Sequence, residues 1–223
     1  MAAAADLVAE NLACRRGDRL VFAGLDCRVA AGGALIVTGA NGSGKSSLLR
    51  VLATLLPPVA GRLSWAGAPV SEGLPGYRAS IHYVGHLDGL KPALSPRETL
   101  NFWAAQRGAG RGHVEAALAA FGLEAIADWP CRWLSAGQRR RVALARLIAA
   151  PAAVWLLDEP TAALDRDGEE RLTSALATHR WGGGCAVIAT HAPIAAEGAD
   201  TLAIDDFAPG PDHVAADPWA EAG

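Results

Sequence analysis

Lysine is almost absent from this chain. Only Lys45 and Lys91 occur among 223 residues, arginine carries nearly all the positive charge, and beyond Arg180 neither residue is found. The net charge is -3, so the chain lacks the basic excess of a nucleic-acid binder, and no nucleic acid is expected as a partner. Cysteine is sparse and scattered: Cys14, Cys27, Cys131 and Cys185 form no CxxC pair, and no CxxCH is present to attach haem covalently. These thiols are expected reduced and mostly buried, as in a cytoplasmic chain. The start, "MAAAADLVAE", has no basic stretch followed by an apolar one, which argues against a signal peptide. The longest wholly apolar run, "LIAAPAAVWLL" at 147–157, has 11 residues and a proline. A membrane span needs about 20. The chain is therefore not expected to cross a membrane, although docking onto a protein that does stays open.

Apolar residues, by contrast, make up 51% of the chain, enough for a sizeable core. The length suits one large domain, or a core with a smaller lobe. Residues 7–37 read as strands punctuated by "RRGD" and "AAGG". "ALIVTG" (34–39) suits a central strand, and residues 46–56 suit a helix stopped by Pro57 and Pro58. "GRLSWAG" (61–67) and "IHYVG" (81–85) read as strands. From about residue 94 the pattern turns helical. "SPRETLNFWAAQ" carries a serine cap, a first-turn proline and a glutamate, "HVEAALAAFGL" is a second helix, and Ser135 opens a third. "AAVWLLDEP" (152–160) and "CAVIATH" (185–191) have buried-strand composition, joined by a crossover helix at about 167–180. The expectation is an α/β core over 7–205, with an N-terminal β region and a helical lobe inserted at about 86–150. Residues 206–223, acidic and proline-rich, read as a loose tail.

"GANGSGKSS", residues 39–47, fits the phosphate-cradling pattern GxxxxGK[ST], with an apolar strand before it and a helix after. Gly39, Gly42 and Gly44 let the backbone turn, while Ala40, Asn41, Ser43 and Ser47 complete a loop whose N–H groups point inward. Lys45 reaches the β and γ phosphates, and Ser46 offers a hydroxyl to Mg²⁺. "VWLLDEP" then delivers Asp158 and Glu159 to a strand end. Two adjacent carboxylates there need a compensating positive charge, for which Mg²⁺–ATP is the obvious candidate. Asp158 would hold the Mg²⁺, directly or through water, and Glu159 would act as general base on the attacking water. His191, ending "VIATH", is read as a donor to the γ-phosphate.

"LSAGQRRR" (134–141) contains no carboxylate, histidine or cysteine. Ser135 and Gln138 have capping-box spacing, and Ala136 and Gly137 keep the helix entrance uncrowded. Such a helix start is an anion site, yet the local phosphates already have Lys45. A second cradle suggests sharing: Ser135 and Gly137 of one chain would cover the γ-phosphate held by another copy. An ordinary capped helix would show the same spacing. Of Arg139, Arg140 and Arg141, one is expected at an interface or salt bridge, and the others in solvent or snorkelling.

Together, "GANGSGKSS", "LSAGQRRRVALAR", "VWLLDEP", "AALD" and "ATH" resemble the nucleotide-binding subunits of ABC transporters. The resemblance implies a P-loop NTPase core of ABC ATPase type, with ATP and Mg²⁺ as ligands and residues 134–138 as the signature supplied in trans. It also makes Asp165 the acidic residue of the D-loop and His191 the switch histidine. "YVGHLDGLKPALSPRETLNFW" and "DEPTAALD" look closer still to the haem-exporter ATP-binding subunits of cytochrome c maturation. On that resemblance His86 stands in place of the usual Q-loop glutamine. Arg16 falls where relatives commonly place an adenine-stacking ring; Arg16 would then stack on the base, or face solvent with Phe22 or another residue near the base instead. The implied setting is peripheral, on the cytoplasmic face of a bacterial inner membrane. The implied partners are a second copy, a multispanning membrane subunit and haem-handling cytochrome c maturation components. ATP hydrolysis would drive haem export or release of a haem-loaded chaperone; an ATPase subunit of an unrelated ABC exporter is the alternative. A switch GTPase is disfavoured by the lack of NKxD, and a small-molecule kinase leaves "LSAGQ" unexplained. The chromosome-organising ABC type needs a coiled coil between cradle and signature, and Ser135 lies only 90 residues beyond Lys45.

Overall fold

Two sheets of opposite character organise the chain. The computed structural model describes residues 5–209. In chain order the elements are β1 (Leu7–Arg16), β2 (Arg19–Val29), β3 (Ala34–Thr38), α1 (Lys45–Leu52), β4 (Ala60–Trp65), β5 (Ala68–Pro69) and α2 (Leu74–Ser80). There follow β6 (Ile81–Val84), α3 (Pro96–Gln106), α4 (Arg111–Ala120), α5 (Ala136–Ala149), β7 (Val154–Asp158), α6 (Arg166–Trp181), β8 (Cys185–Ala189) and β9 (Asp200–Ala203). The first sheet, antiparallel, has the order β2-β1-β4-β5. The second, parallel throughout, has the order β6-β7-β8-β3-β9.

The parallel sheet is covered on both faces, as its continuous apolar strands require. Alternation assigns the side chains. Val154 and Leu156 of β7, with Val187 of β8, join α1 and the antiparallel sheet in one core. Trp155 and Leu157, with Ile188, join the second core, built with α3, α4, α5 and α6. Each fully buried leucine contributes about 1.5–3 kcal/mol relative to exposure. The expected α/β core with an N-terminal antiparallel region and an inserted helical lobe is the architecture observed. Cys14, Cys131 and Cys185 are buried free thiols, and Cys27 is half-buried. Among the described residues no helix is long and apolar enough to cross a membrane.

Four expectations need correction. The helix after the loop ends at Leu52, not at residue 56. Thr54 turns left-handed (φ 57), and α2, an unexpected helix, receives the helix end: the Tyr77 hydroxyl donates to the Leu52 carbonyl at 2.7 Å. The Arg78 guanidinium donates to the Thr54 side chain and carbonyl. An edge strand, β9, pairs in parallel with β3 where no strand was expected. The region read as tail begins with a 3-10 turn at Ile204–Phe207, and Phe207 packs against the first core. The remainder of that expected tail, 210–223, and residues 1–4 of the N-terminal reading lie outside the described residues.

Candidate active site

β3 ends at Thr38, and the chain turns through residues 39–44 into α1. Gly44, the residue capping α1, has φ 115, and a Cβ there would meet Val21 Cγ1 at 2.6 Å, so only glycine fits. No acidic residue occupies the first turn of α1, which leaves its N-terminal partial positive charge uncancelled. Lys45 is only 7% exposed. Its Nζ donates to the Gly39 carbonyl at 2.7 Å and to that of Ala40 at 3.1 Å, folding the ammonium back over its own loop. The Ser43 hydroxyl is buried with no hydrogen-bond partner. Asp205 braces the loop from beyond β9 by accepting from the Ala40 N–H at 3.1 Å. A glycine-rich loop at a helix start, a folded-back ammonium and an orphaned hydroxyl suit a phosphate chain.

Facing this loop is the end of β7. Asp158, 2% exposed, accepts from the Ser46 hydroxyl at 2.9 Å and from the Tyr83 hydroxyl at 3.4 Å. Residues 112 apart in sequence thus form an all-oxygen pair. Among the described residues no three His, Cys, Asp or Glu side chains gather at one point. The pair suits Mg²⁺, which takes one or two carboxylates and completes its shell with water and phosphate. Glu159 follows in left-handed backbone (φ 48), a conformation costing of order 1–2 kcal/mol. Its N–H donates to the Ala189 carbonyl at 2.8 Å. Its carboxylate Oε2 lies 2.9 Å from His191 Nδ1 and 3.4 Å from the His191 N–H.

One cleft of about 890 Å³ has Arg16, Asn41, Gly42, Gly44, Lys45, Ser46, Ser47, His86, Glu159 and His191 on its wall, whereas Gly39, Ala40, Ser43 and Asp158 do not line it, Asp158 being joined to it through the Ser46 hydroxyl. Phe22 is fully buried in the first core, so of the two residues named for the adenine Arg16 lines the cleft and Phe22 does not. Arg19 and Val21 also line it and were not anticipated. Arg19 opposes Arg16 across the β1–β2 turn, a pairing that hairpin register would have exposed.

Ser135, Gly137, Gln138 and Asp165 do not line the cleft. Ser135 caps α5: its hydroxyl accepts from the Gln138 N–H at 3.1 Å, while the Gln138 amide oxygen accepts from the Ser135 N–H at 2.9 Å. Gly137 approaches the 163 carbonyl so closely that a Cβ would sit 2.8 Å from it. Asp165 caps α6 by accepting from the Gly168 N–H at 3.0 Å, and it pairs with Arg141. The Arg141 bond, then the Gly168 N–H, hold its carboxyl below the usual range.

The arginine run meets one half of its expectation and overturns the other: Arg141 makes the expected salt bridge, but the other two are not left to solvent. No member simply faces solvent. Arg139 donates to the Leu134 carbonyl, Arg141 pairs with Asp165 and Asp167, and Arg140 is 2% exposed inside the protein. The missed signal was periodicity: Arg140 lies four and seven residues before Leu144 and Leu147, on the buried face of α5.

Residues 22–162 match the family described as ABC transporter. A "Cytochrome c biogenesis ATP-binding export protein CcmA" from Rhodospirillum rubrum is 55% identical over 206 residues, 92% of this chain and 88% of the relative. The protein of the same description from Paramagnetospirillum magneticum is 54% identical, covering 90% of this chain and 94% of that one. Among solved structures, a putative ABC transporter ATP-binding protein from Pyrococcus furiosus superposes with TM-score 0.80 at 20% identity, covering 92% of this chain and all of that one. A dimeric ATP-binding cassette in a post-hydrolysis state with ADP and Pi superposes with TM-score 0.73 at 25% identity, covering 83% and 88%.

Proposed function

The chain belongs to the ABC transporter ATP-binding family, and from that premise we propose that it is the ATP-hydrolysing subunit of a cytochrome c biogenesis complex. The observation that carries the reading is one cleft lined by the folded-back Lys45, by Ser46, whose hydroxyl donates to the buried Asp158, and by the Glu159–His191 pair. The high identity to two cytochrome c biogenesis ATP-binding proteins, along nearly their whole length, supports the biological setting.

In this reading Lys45 exchanges the Gly39 and Ala40 carbonyls for β- and γ-phosphate oxygens, helped by the N–H groups of residues 39–47. Ser46 and Asp158 would hold Mg²⁺, which when bound neutralises phosphate charge. Glu159 accepts the proton of the attacking water; the His191 ring, whose Nδ1 faces that carboxylate, turns its one N–H to the γ-phosphate when ATP binds, while the His191 main-chain N–H stays beside the carboxylate. Arg16 stacks its guanidinium plane on the base. His86 reports occupancy from the loop after β6. A second copy completes each site: its Ser135 and Gly137 cover the γ-phosphate, with Gln138 holding the cap and Asp165 the neighbouring turn. The dimeric relative with ADP and Pi supports this pairing. The pair works with a multispanning membrane subunit, peripherally on the cytoplasmic face of the inner membrane. Its further partners are haem-handling cytochrome c maturation components, and the work done is haem export or release of a haem-loaded chaperone.

Glu159→Gln tests the site. The variant is expected to bind Mg-ATP with unchanged affinity, to sediment as an ATP-held dimer, and to hydrolyse about 1000-fold more slowly. A variant that stays monomeric at saturating Mg-ATP, with the membrane subunit present, would sink the shared site. Co-purification tests the setting: haem-handling membrane proteins are expected with the tagged chain, and the subunits of an unrelated exporter in their place would overturn it.

A further inference from the structure

Arg140 is the largest fully buried side chain among the described residues, and the hydrolysis reading gives it no role. Its guanidinium is saturated. Nη2 donates to the Asp158 carbonyl at 2.9 Å and the Glu159 carbonyl at 2.7 Å, and Nε to the Pro160 carbonyl at 3.2 Å. Nη1 donates to the Gly85 carbonyl at 2.9 Å and to Asp88 Oδ1 at 3.3 Å. A buried guanidinium is costly, and a well-packed apolar side chain would often serve stability as well. Its one carboxylate partner is also the longest of its bonds, so charge pairing does not explain its place. The acceptor set does. Three successive carbonyls, 158 to 160, span the point where β7 stops and Glu159 enters left-handed backbone. Such a conformation persists only where its surroundings over-determine it. The Glu159 N–H is tied to Ala189 on one side, and its carbonyl is tied to Arg140 on the other.

We propose that Arg140 is a positioning residue for Glu159, and that it joins the Glu159 turn to the 85–88 loop and to the start of α5. The inference rests on reading Glu159 as the general base. Gly85 and Asp88, the other two acceptors, flank His86 on the cleft wall. Arg140 stands five residues after Ser135 on one rigid helix. The helix start offered to a second copy and the base of this copy's own site therefore share one guanidinium. A displacement of α5 by an opposing phosphate reaches Glu159 through it.

Arg140→Lys keeps the buried charge but replaces a planar fork with a single nitrogen, which serves one end of the acceptor set and not both. In the nucleotide-free full chain, exchange of the Glu159 amide hydrogen, followed by NMR, is expected to quicken about 10-fold. Mg-ATP affinity is expected to stay within about two-fold, while hydrolysis falls about 100-fold. In a Glu159→Gln background the same substitution is expected to cost less than about two-fold in residual rate, because both changes disable one unit. Unchanged amide exchange, a wild-type rate, a loss of affinity matching the loss of rate, or fully multiplicative effects would each overturn the proposal. Should Arg140→Lys not fold, Asp88→Ala, which removes the acceptor at the Nη1 end, carries the test: hydrolysis is expected to drop about five-fold at unchanged affinity, and an unchanged rate overturns it. The underlying reading fails separately. If Glu159→Gln alone hydrolyses normally, Glu159 is not the base; if it is inactive while Arg140→Lys is normal, only the positioning role fails.

Discussion

Two helices of the inserted lobe, α3 and α5, begin with the same device and differ in what they leave available. In α3 the Ser95 hydroxyl accepts from the Glu98 N–H, and the Glu98 carboxylate accepts from the Ser95 N–H. In α5 Ser135 and Gln138 make the same two bonds. Ser95 is buried and its partner is a carboxylate; Ser135 is exposed and its partner is a neutral amide. A carboxylate in the first turn answers the helix's N-terminal partial charge from inside the chain. An amide closes the same backbone donor and leaves that charge for an outside anion. Cap geometry alone does not distinguish a structural helix start from a binding one; charge and exposure do.

The largest expected effect tests whether the open cap serves another copy. Gly137→Asp puts a Cβ against the 163 carbonyl and a negative charge at the cradle, and is expected to lower hydrolysis about 1000-fold. Lys45→Ala is expected to be equally inactive. Mixing the two should restore activity to roughly a quarter of the wild-type rate, since half of randomly paired dimers hold one intact composite site. No restoration would break the comparison, because the cradle would then serve its own chain or nothing.

Gln138→Glu copies the α3 box into α5. Stability to urea is expected to hold and ATP affinity to stay within about two-fold, while hydrolysis falls about 30-fold as the new carboxylate opposes phosphate. An undiminished rate would mean that the charge difference between the boxes is incidental.

Acid limits where the two caps can be compared. Burial lowers the His82 pKa to about 3 and that of His179 to about 4, and both rings stay neutral in the folded state. The unfolded chain takes up those protons first, so stability present above about pH 6.5 is lost as pH falls toward these values. By pH 5 the loss is expected to be about 2 kcal/mol for each ring, read from urea midpoints at pH 7 and pH 5. His82→Gln should reduce that pH dependence by about half; a midpoint indifferent to pH would contradict the buried neutral rings.

The smallest effect is the sharpest control. Ser95→Ala and Ser135→Ala are each expected to cost about 1 kcal/mol in urea unfolding at pH 7.5. Only Ser135→Ala should also slow hydrolysis, by about 10-fold, through loss of a hydroxyl at the γ-phosphate. Equal catalytic losses from both would assign them to a general loosening of the lobe.

Much of the fold was legible because its signals are local. The Ser95 and Ser135 caps, the glycine-rich loop and the apolar runs of β3, β7 and β8 announce themselves within a few residues. The early stop of α1 was not legible, since it depends on Tyr77 and Arg78 arriving from α2. Nor was β9, a four-residue strand whose main local mark is Leu202. Arg140 was misread because its charge outweighed its position. Its periodicity with Leu144 and Leu147 pointed inward, and the carbonyls that make burial tolerable come from two distant segments, the 158–160 turn and Gly85.

By itself, then, the amino-acid order determined which backbone turns bend, which helix starts are capped, and which side chains are candidates for phosphate, metal and proton chemistry. These depend on steric and hydrogen-bonding preferences acting over a turn or less. Only the tertiary structure decided that Ser46 meets Asp158, that His191 meets Glu159, that Phe22 is withdrawn from the cleft, and that Arg140 clamps the strand end. Those meetings depend on the parallel register of β7 and β8 and on the packing of α5, and both arise from burial summed over the whole molecule.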